Sequence, residues 1–565
     1  MAPKVVQARE LLFQVLEDLE IPFLFGLEGT TELPLIDGCK EHKDVKYIQV
    51  LHENIAVGAA SGYGRMTGKP GVCVLHVTPG IGHAIDNLFN AWKAKIPLVV
   101  IAGQQDTEVS IQEPILWSDT VQLTKQYCKW SYELKNTYEL PIMLQRAFKE
   151  AMTWPQGPVF LSWPVDLSID DTPLSAYRTT RIGRRTMGDP DDIRKAAELL
   201  AAAKKPAIVA GDGCGLSGAW DELVRLAQLL GAPVYSESLS TNMNYPSREY
   251  HWQWELPGDA PSMRSTLGEY DVVLFAGFSS HAPMTVYHGG PPLIPDSVTK
   301  IYLHYAEWEI AKNYPGAAAI LGDVKTSLGP LIATVERSRK RDRGAAEKRN
   351  AALLRTHEKL FRSWKQYIKA HRDSSPINSA FVAAELAEVQ PKNMIYVDEA
   401  NTGNQPFQRL LEFPDPLSYY TGRGVALGYS MPAALGIALA APKRRIVNIV
   451  GDGGASFYPH VFWTALKYKL PILFIILNNE EYKTLKQGLE AMKKFWPEAT
   501  EPPGLNLGPP HLQHAAIAQA YGVAGERITK SADVRAALER GLAAKGPYVL
   551  EFMVQREVDD TWPTG

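Results

Sequence analysis

Cysteine is scarce in this chain. There are four in 565 residues, Cys39, Cys73, Cys128 and Cys214, and no two stand at CxxC spacing. Neither a paired-cysteine zinc site nor a disulfide framework is suggested. An excess of charge is equally lacking: 59 Lys and Arg face 62 Asp and Glu, for a net −3. No basic field therefore points to nucleic acid or to an anionic membrane surface. No apolar run reaches membrane-spanning length. The opening residues, MAPKVVQARELLFQVLEDLEI, carry acids and helical periodicity rather than the features of a signal or transit peptide, so a reducing cytoplasm is the expectation. No short-period repeat appears.

What the chain does contain is a long alternation of short apolar runs with helical stretches. Its length suggests about three domains. The segments FLFGLEGTTEL, YIQVLHEN, GKPGVCVLHVTPG, PLVVIAGQQ and PVFLSWPVD each read as a strand and a turn. A Pro-, Ser-, Thr- and Arg-rich stretch, 170–190, reads as a linker. PAIVAG, APVYSE, DVVLFAG and KIYLHY continue the pattern, then a charged helical stretch over 336–375, then MIYVDE, RRIVNIV, PILFIIL and PYVLEFMV. The expectation is an α/β chain of three doubly wound parallel-sheet domains, over 1–185, 186–345 and 346–565.

One stretch organises the rest: RRIVNIVGDGGASFYPHVFWTALKYKLPILFIILNNEEY, from Arg444 to Tyr482. It reads as strand, helix (Phe457 to Leu470, with Phe457, Val461, Ala465 and Leu466 on one face), strand: one βαβ unit. Asp452 and Asn479 then fall just past the carboxyl ends of neighbouring parallel strands, where open α/β sheets bind ligands. A carboxylate and an amide oxygen suit octahedral Mg²⁺ completed by phosphate or water oxygens. Glycines let backbone approach an anion, and the N-terminus of the next helix offers free N–H groups. The unit reads as a metal–diphosphate cradle. A bare GDG would favour an ordinary turn; its pairing with the Asn-Asn after one helix and one strand favours the cradle.

Those residues resemble the thiamine-diphosphate motif of the decarboxylase and carboligase superfamily that includes pyruvate decarboxylases and acetolactate synthases. The resemblance implies thiamine diphosphate and Mg²⁺ as cofactors, with Asp452, the Asn479 side chain and the Glu481 carbonyl as metal ligands. Gly453, Gly454 and Ala455 belong to the same motif. Glu53, in ENIAVGAASGYGRMTG, sits where family members place the carboxyl group beside N1′ of the cofactor's aminopyrimidine; a Glu opening a helix is otherwise usually a dipole-compensating surface residue. Leu427, in YYTGRGVALGY, matches the apolar residue under the bent cofactor, with Val425 beside it. Asn401 and Thr402 match diphosphate contacts, although they could equally be turn or capping residues.

Across the full chain the resemblance is strongest to the benzoylformate decarboxylase branch. FGLEGTTELP places Thr30 at a substrate-carboxylate position, and VLHVTPGIGHAIDNLFNAW places His76 at an active-site histidine. A second acid–base histidine is implied after DVVLFAG; His288 and His281 both match. The chain lacks the adjacent His-His pair of the pyruvate decarboxylase branch. Where that resemblance puts an aryl-binding wall, the chain has Thr421, Thr484 and Gly488, with Lys483 and Lys486 close by, and a longer Pro-containing stretch from Leu489 to Leu512. The expectation is a non-oxidative 2-oxo acid decarboxylase, possessing aldehyde carboligase capacity, whose substrate is larger or more polar than benzoylformate. An acetolactate-synthase-like carboligase is the alternative. Glu53 and the cradle meet across subunits in the family, so the resemblance implies a homodimer or homotetramer acting on a small molecule. A GxGxxG run, Gly213 to Gly218, with Glu237 one βα unit onward, fits a dinucleotide fingerprint on paper but is weak alone. His52 and His83 flank the catalytic segments and take no role.

Overall fold

Three six-stranded sheets carry the chain, each parallel throughout. The computed structural model describes residues 5–173, 179–183, 185–279, 290–556 and 562–563. From edge to edge the first sheet runs Lys46–Gln49, Phe23–Leu27, Gly71–Leu75, Leu98–Gln104, Pro158–Pro164, Trp130–Glu133. The second runs Trp252–Glu255, Val234–Ser236, Pro206–Ala210, Val272–Ala276, Thr299–His304, Ala318–Leu321. The third runs Tyr419–Thr421, Ile395–Glu399, Ile446–Gly451, Ile472–Asn478, Tyr548–Met553, Ala524–Ile528. Val5–Gln7 and Asp171–Pro173 form a small antiparallel pair.

The central strands are buried along their whole length, as parallel strands with helices on both faces must be. The Val-, Ile- and Leu-rich runs of the sequence are these strands. The charged stretch over 336–375 contains one long helix, Arg343–His371, which buries only Ala346, Leu360 and Trp364.

Two helices of small residues tie the first sheet's domain to the third's. Glu53–Thr67 buries every residue from Glu53 to Arg65. It lies against Ser430–Ala440, buried from Ser430 to Ala438. A Cβ added to Gly436 would stand 1.8 Å from the Ala59 carbonyl oxygen, and one on Gly62 would stand 2.1 Å from that of Ala433. The backbones touch, so the alanines and glycines of both segments are what lets them pack.

The βαβ unit departs from its reading in detail. The chain after Gly451 makes a single turn, Asp452–Ala455, and the crossover helix proper is Val461–Lys467. Pro459 lies between them. Phe457 and Leu466 are exposed, whereas Val461 and Ala465 are buried as expected. No long helix dipole therefore starts at the GDG turn, and the turn's own backbone N–H groups must serve any anion there.

Candidate active site

Strands Ile446–Gly451 and Ile472–Asn478 are direct neighbours, Gly451 opposite Leu477. This register brings the GDG turn and the Asn-Asn loop side by side. The Asp452 carboxylate accepts from the Gly453 N–H at 2.9 Å and, across the gap, from the Glu480 N–H at 2.7 Å. Burial pushes this carboxyl up to about 7 despite those backbone donors. Glu480 is held at φ 56°, a left-handed conformation that a non-glycine residue adopts at a cost. The two asparagines divide their work. Asn478 points into the core and donates to Glu551 at 2.7 Å, while Asn479 lines a cavity and accepts from the Glu481 N–H at 3.2 Å.

That cavity holds about 370 Å³ and opens at the carboxyl ends of the third sheet. Asp452, Gly453, Gly454, Asn479 and Glu481 line one side; Asn401, Thr402, Val425 and Leu427 line another. Of the cradle residues expected from sequence, Ala455 alone stays out of the lining; it is buried. The donor set fits the implied group: Asp452 and Asn479 are hard oxygen donors of the kind Mg²⁺ takes. The glycines fit it as well, since a Cβ on Gly453 would come within 2.7 Å of the Tyr482 ring and close the floor.

Glu399 is a site residue the sequence reading passed over. It ends its strand, is buried, and lines the cavity. Its carboxyl accepts from the N–H groups of Gly428 at 2.5 Å and Ser430 at 2.7 Å. It thereby holds the loop that presents Val425, itself at φ 57°, and Leu427. Burial raises this carboxyl to about 7, the two backbone donors opposing the rise. A carboxylate at a strand's carboxyl end, two residues before Asn401, was the available signal. Lys483, Thr484 and Ser379 also line the cavity.

Glu53 is not among the residues lining the cavity, all of which fall between Ser379 and Gln555. It opens its helix with the side chain largely buried, and Oε2 lies 2.9 Å from His83 Nδ1. His52 caps the same helix, accepting from the Asn54 N–H, and its ring stacks on His83 at 5.0 Å. It also meets Tyr458 and His460 of the third domain. His76 Nδ1 lies 2.8 Å from the fully buried Glu32 carboxylate, which also accepts from the Gly29 N–H and the Thr31 hydroxyl. Val77, next in the chain, sits at φ 38°, unusual for a β-branched residue. Thr31, not Thr30, faces this pair, its hydroxyl 3.5 Å from His76; Thr30 is exposed. The buried Glu32 was not anticipated. His281 and His288 lie outside the described residues.

The GxGxxG turn is filled by the chain itself. The Asp212 N–H donates to Glu237 at 2.8 Å and the Gly213 N–H to the Gly277 carbonyl. Arg423, from the third domain, binds Glu237 at 3.1 Å and Asp212 at 3.4 Å. The donors that would meet a pyrophosphate are spent, and two carboxyl groups stand in its place. The glycines serve close packing: a Cβ on Gly211 would be 2.3 Å from the Gly277 oxygen.

Comparison with known proteins gives a consistent answer. The thiamine pyrophosphate enzyme family matches through its N-terminal TPP binding domain over residues 6–122, its central domain over 193–331 and its C-terminal TPP binding domain over 401–552. Benzoylformate decarboxylase of Pseudomonas aeruginosa is 28% identical, the match covering 96% of this chain and 98% of that one. A probable acetolactate synthase large subunit of Methanococcus aeolicus is 26% identical over 96% of this chain and 91% of that one. Among solved structures, the thiamine diphosphate-dependent 4-hydroxybenzoylformate decarboxylase of Rhodococcus jostii superposes with a TM-score of 0.84 at 26% identity, covering 98% and 100%. With three domain types of one family falling in order along most of its length, and the expected cradle residues gathered round one cavity, the chain belongs to the thiamine pyrophosphate enzymes.

Proposed function

We propose that this protein is a thiamine-diphosphate- and Mg²⁺-dependent decarboxylase of a 2-oxo acid, with its active site completed by a second copy of the chain. The observation that carries the proposal is the cavity: Asp452 and Asn479 together on one wall, Val425 and Leu427 on the other. When bound, the cofactor supplies the carbon nucleophile and the electron sink that decarboxylation requires. The chain's own residues bind, orient and move protons. Asp452, Asn479 and the Glu481 carbonyl would hold the metal, and Leu427 would support the bend of the cofactor. Glu53 would hold or release a proton at the aminopyrimidine N1′. His76, fixed by Glu32, would carry a proton to or from the substrate. Because, among the described residues, the cavity takes no lining from the first domain, Glu53 would come to it from a partner chain.

The test is twofold. Glu53→Gln should leave the cofactor bound, by calorimetry, while slowing exchange of its C2 proton by orders of magnitude; unchanged exchange would remove Glu53 from the mechanism. CO₂ release across 2-oxo acids of graded size and charge, without an added aldehyde, supports decarboxylation. Product formed only when an acceptor is present would support the acetolactate-synthase-like alternative. The filled GxGxxG turn favours the first reading, since acetolactate synthases carry FAD in the middle domain.

A further inference from the structure

A second, smaller cavity of about 130 Å³ lies where the central and third domains meet. It shares Glu399, Asn401, Val425, Leu427 and Thr484 with the larger cavity, so the two are neighbours across the Val425–Leu427 loop. The central domain contributes Leu239, Ser240 and Glu255. Thr421 also lines it, with a hydroxyl that donates to the Asp398 carbonyl.

Glu255 reaches this cavity through local distortion. Its strand, Trp252–Glu255, breaks register against Val234–Ser236: Val234 faces Trp252, but Tyr235 faces Trp254. Gln253 is the extra residue of a bulge, a device that re-aims side chains beside functional sites. Trp254, next to Glu255 in the chain, is at φ 88° and Leu239, in the cavity wall, is at φ 58°. Two non-glycine residues in left-handed conformations at one small cavity are strain that the surrounding fold must hold in place. Gln408 fixes the segment, accepting from Trp254 Nε1 at 2.7 Å and donating to the Tyr419 hydroxyl at 2.6 Å.

The charge of this cavity has one sign. Two carboxyl groups, Glu255 and Glu399, line it, and no Lys, Arg or His does among the described residues. Glu399 is committed to Gly428 and Ser430. Two arginines act on Glu255 from outside the lining: Arg423, itself bound to Glu237 and Asp212, and the buried Arg409, which donates to the Gln253 carbonyl. Burial pushes the Glu255 carboxyl up to about 7, against the pull of the Leu239 backbone N–H. A cation brought beside it would find both charge and hydrogen-bond acceptor.

We propose that this cavity is the subsite for the far end of the substrate, and that the 2-oxo acid taken by this enzyme ends in a protonated nitrogen that pairs with Glu255. This rests on the larger cavity being the seat of 2-oxo acid decarboxylation. Thr421 and Thr484, small side chains at positions where the resemblance puts an aryl-binding wall, both line this cavity. The Glu255 carboxyl then gives specificity, because an ammonium brings it a charge and a hydrogen bond where a methyl group in the same place brings neither.

The test separates the subsite from the chemistry. Two matched straight-chain carboxylic acids lacking the 2-oxo group, one ending in ammonium and one in methyl, are titrated calorimetrically into holoenzyme. The ammonium-ended acid should bind at least about tenfold tighter. That preference should vanish in Glu255→Gln, which keeps the shape, and in Glu255→Leu, which removes the polarity. Equal affinities, no measurable binding of either acid, or a preference that survives both substitutions would overturn the proposal. CO₂ release from the matching 2-oxo acids is measured alongside. Ammonium-selective binding without any CO₂ release would sink the decarboxylase reading and leave the subsite standing. Release that ignores the tail in wild type and both variants would do the reverse.

Discussion

Glu399 allows a sharp test of how the site is held. Its carboxyl lies beneath the cavity, bonded to the N–H groups of Gly428 and Ser430, and burial raises it from the ordinary 4.5 to about 7. A carboxyl raised on folding binds its proton more tightly in the native state than in the unfolded one. Stability must then fall as pH rises from about 4.5 through 7, and level off above. The gap amounts to about 3 kcal/mol for this one group. Glu399→Gln has nothing to titrate. At pH 5 the wild type carries mostly the neutral acid, close to glutamine in shape and polarity, and the two proteins should differ by about 1 kcal/mol or less. At pH 8 the wild type holds a buried charge, and the variant should gain up to about 3 kcal/mol relative to it. Urea unfolding of cofactor-free protein at the two pH values measures this. Hydrogen exchange at the Gly428 and Ser430 amides reports the loop itself. A wild-type-minus-variant difference that is the same at both pH values, or that moves the other way, would refute the argument. The cost falls where the loop bearing Val425 and Leu427 must stay rigid, a trade of stability against a fixed site.

Two further substitutions follow from the same geometry. Gly436→Ala puts a methyl 1.8 Å from a backbone oxygen that cannot swing away, and should cost about 1–3 kcal/mol or more, read as a fall in Tm. Gly344→Ala, exposed in the Arg343–His371 helix with only Asp342 Oδ1 near, at 3.6 Å, should raise stability by about 0.5–1 kcal/mol and serves as the control. Asp452→Ala leaves the Glu480 and Gly453 N–H groups without their acceptor and removes a metal oxygen; Mg²⁺-dependent cofactor affinity should weaken by on the order of tenfold or more in calorimetry. Unchanged affinity would refute the cradle.

The central strands of every sheet could be read from the sequence because burial on both faces demands unbroken apolar runs. The strands missed are nearly all at sheet edges: Trp130–Glu133, Trp252–Glu255, Ala318–Leu321, Tyr419–Thr421 and Ala524–Ile528. An edge strand is covered on fewer sides, so its sequence mixes polar residues with apolar ones and looks like loop. Trp252–Glu255 is the instructive case, since its bulge breaks even the alternation. The cradle was legible because Asp452 and Asn479 are fixed by strand ends that any reader can find. Glu32 and Glu399 were not, since a buried carboxyl group is identified by the backbone donors and histidine folded round it. Nothing in FGLEGTTELP shows that the Thr31 hydroxyl faces His76. The GxGxxG run, weak alone as a sequence signal, has its reason in packing: its glycines let Gly277 approach.

The position of Glu53 bears most directly on assembly. In one chain its carboxyl is engaged by His83, beside a cluster of His52, His460 and Tyr458, while the cavity that would need it is walled, among the described residues, by those from 379 onward. If each site takes Glu53 from one copy and Asp452 from another, two dead variants should rescue each other. Glu53→Gln and Asp452→Ala chains, unfolded together and refolded, would pair at random, so half the dimers would be mixed. Each mixed dimer has one site carrying both lesions and one carrying neither. The mixture should then recover about a quarter of wild-type activity per chain, from parents that each show almost none. Sites built within a single chain predict no recovery at all, whatever the mixing ratio, because every chain carries a lesion in its own site. The quarter itself discriminates further: recovery that rises and falls with the product of the two chain fractions identifies a site shared by two copies, and no other arrangement of these residues gives that dependence.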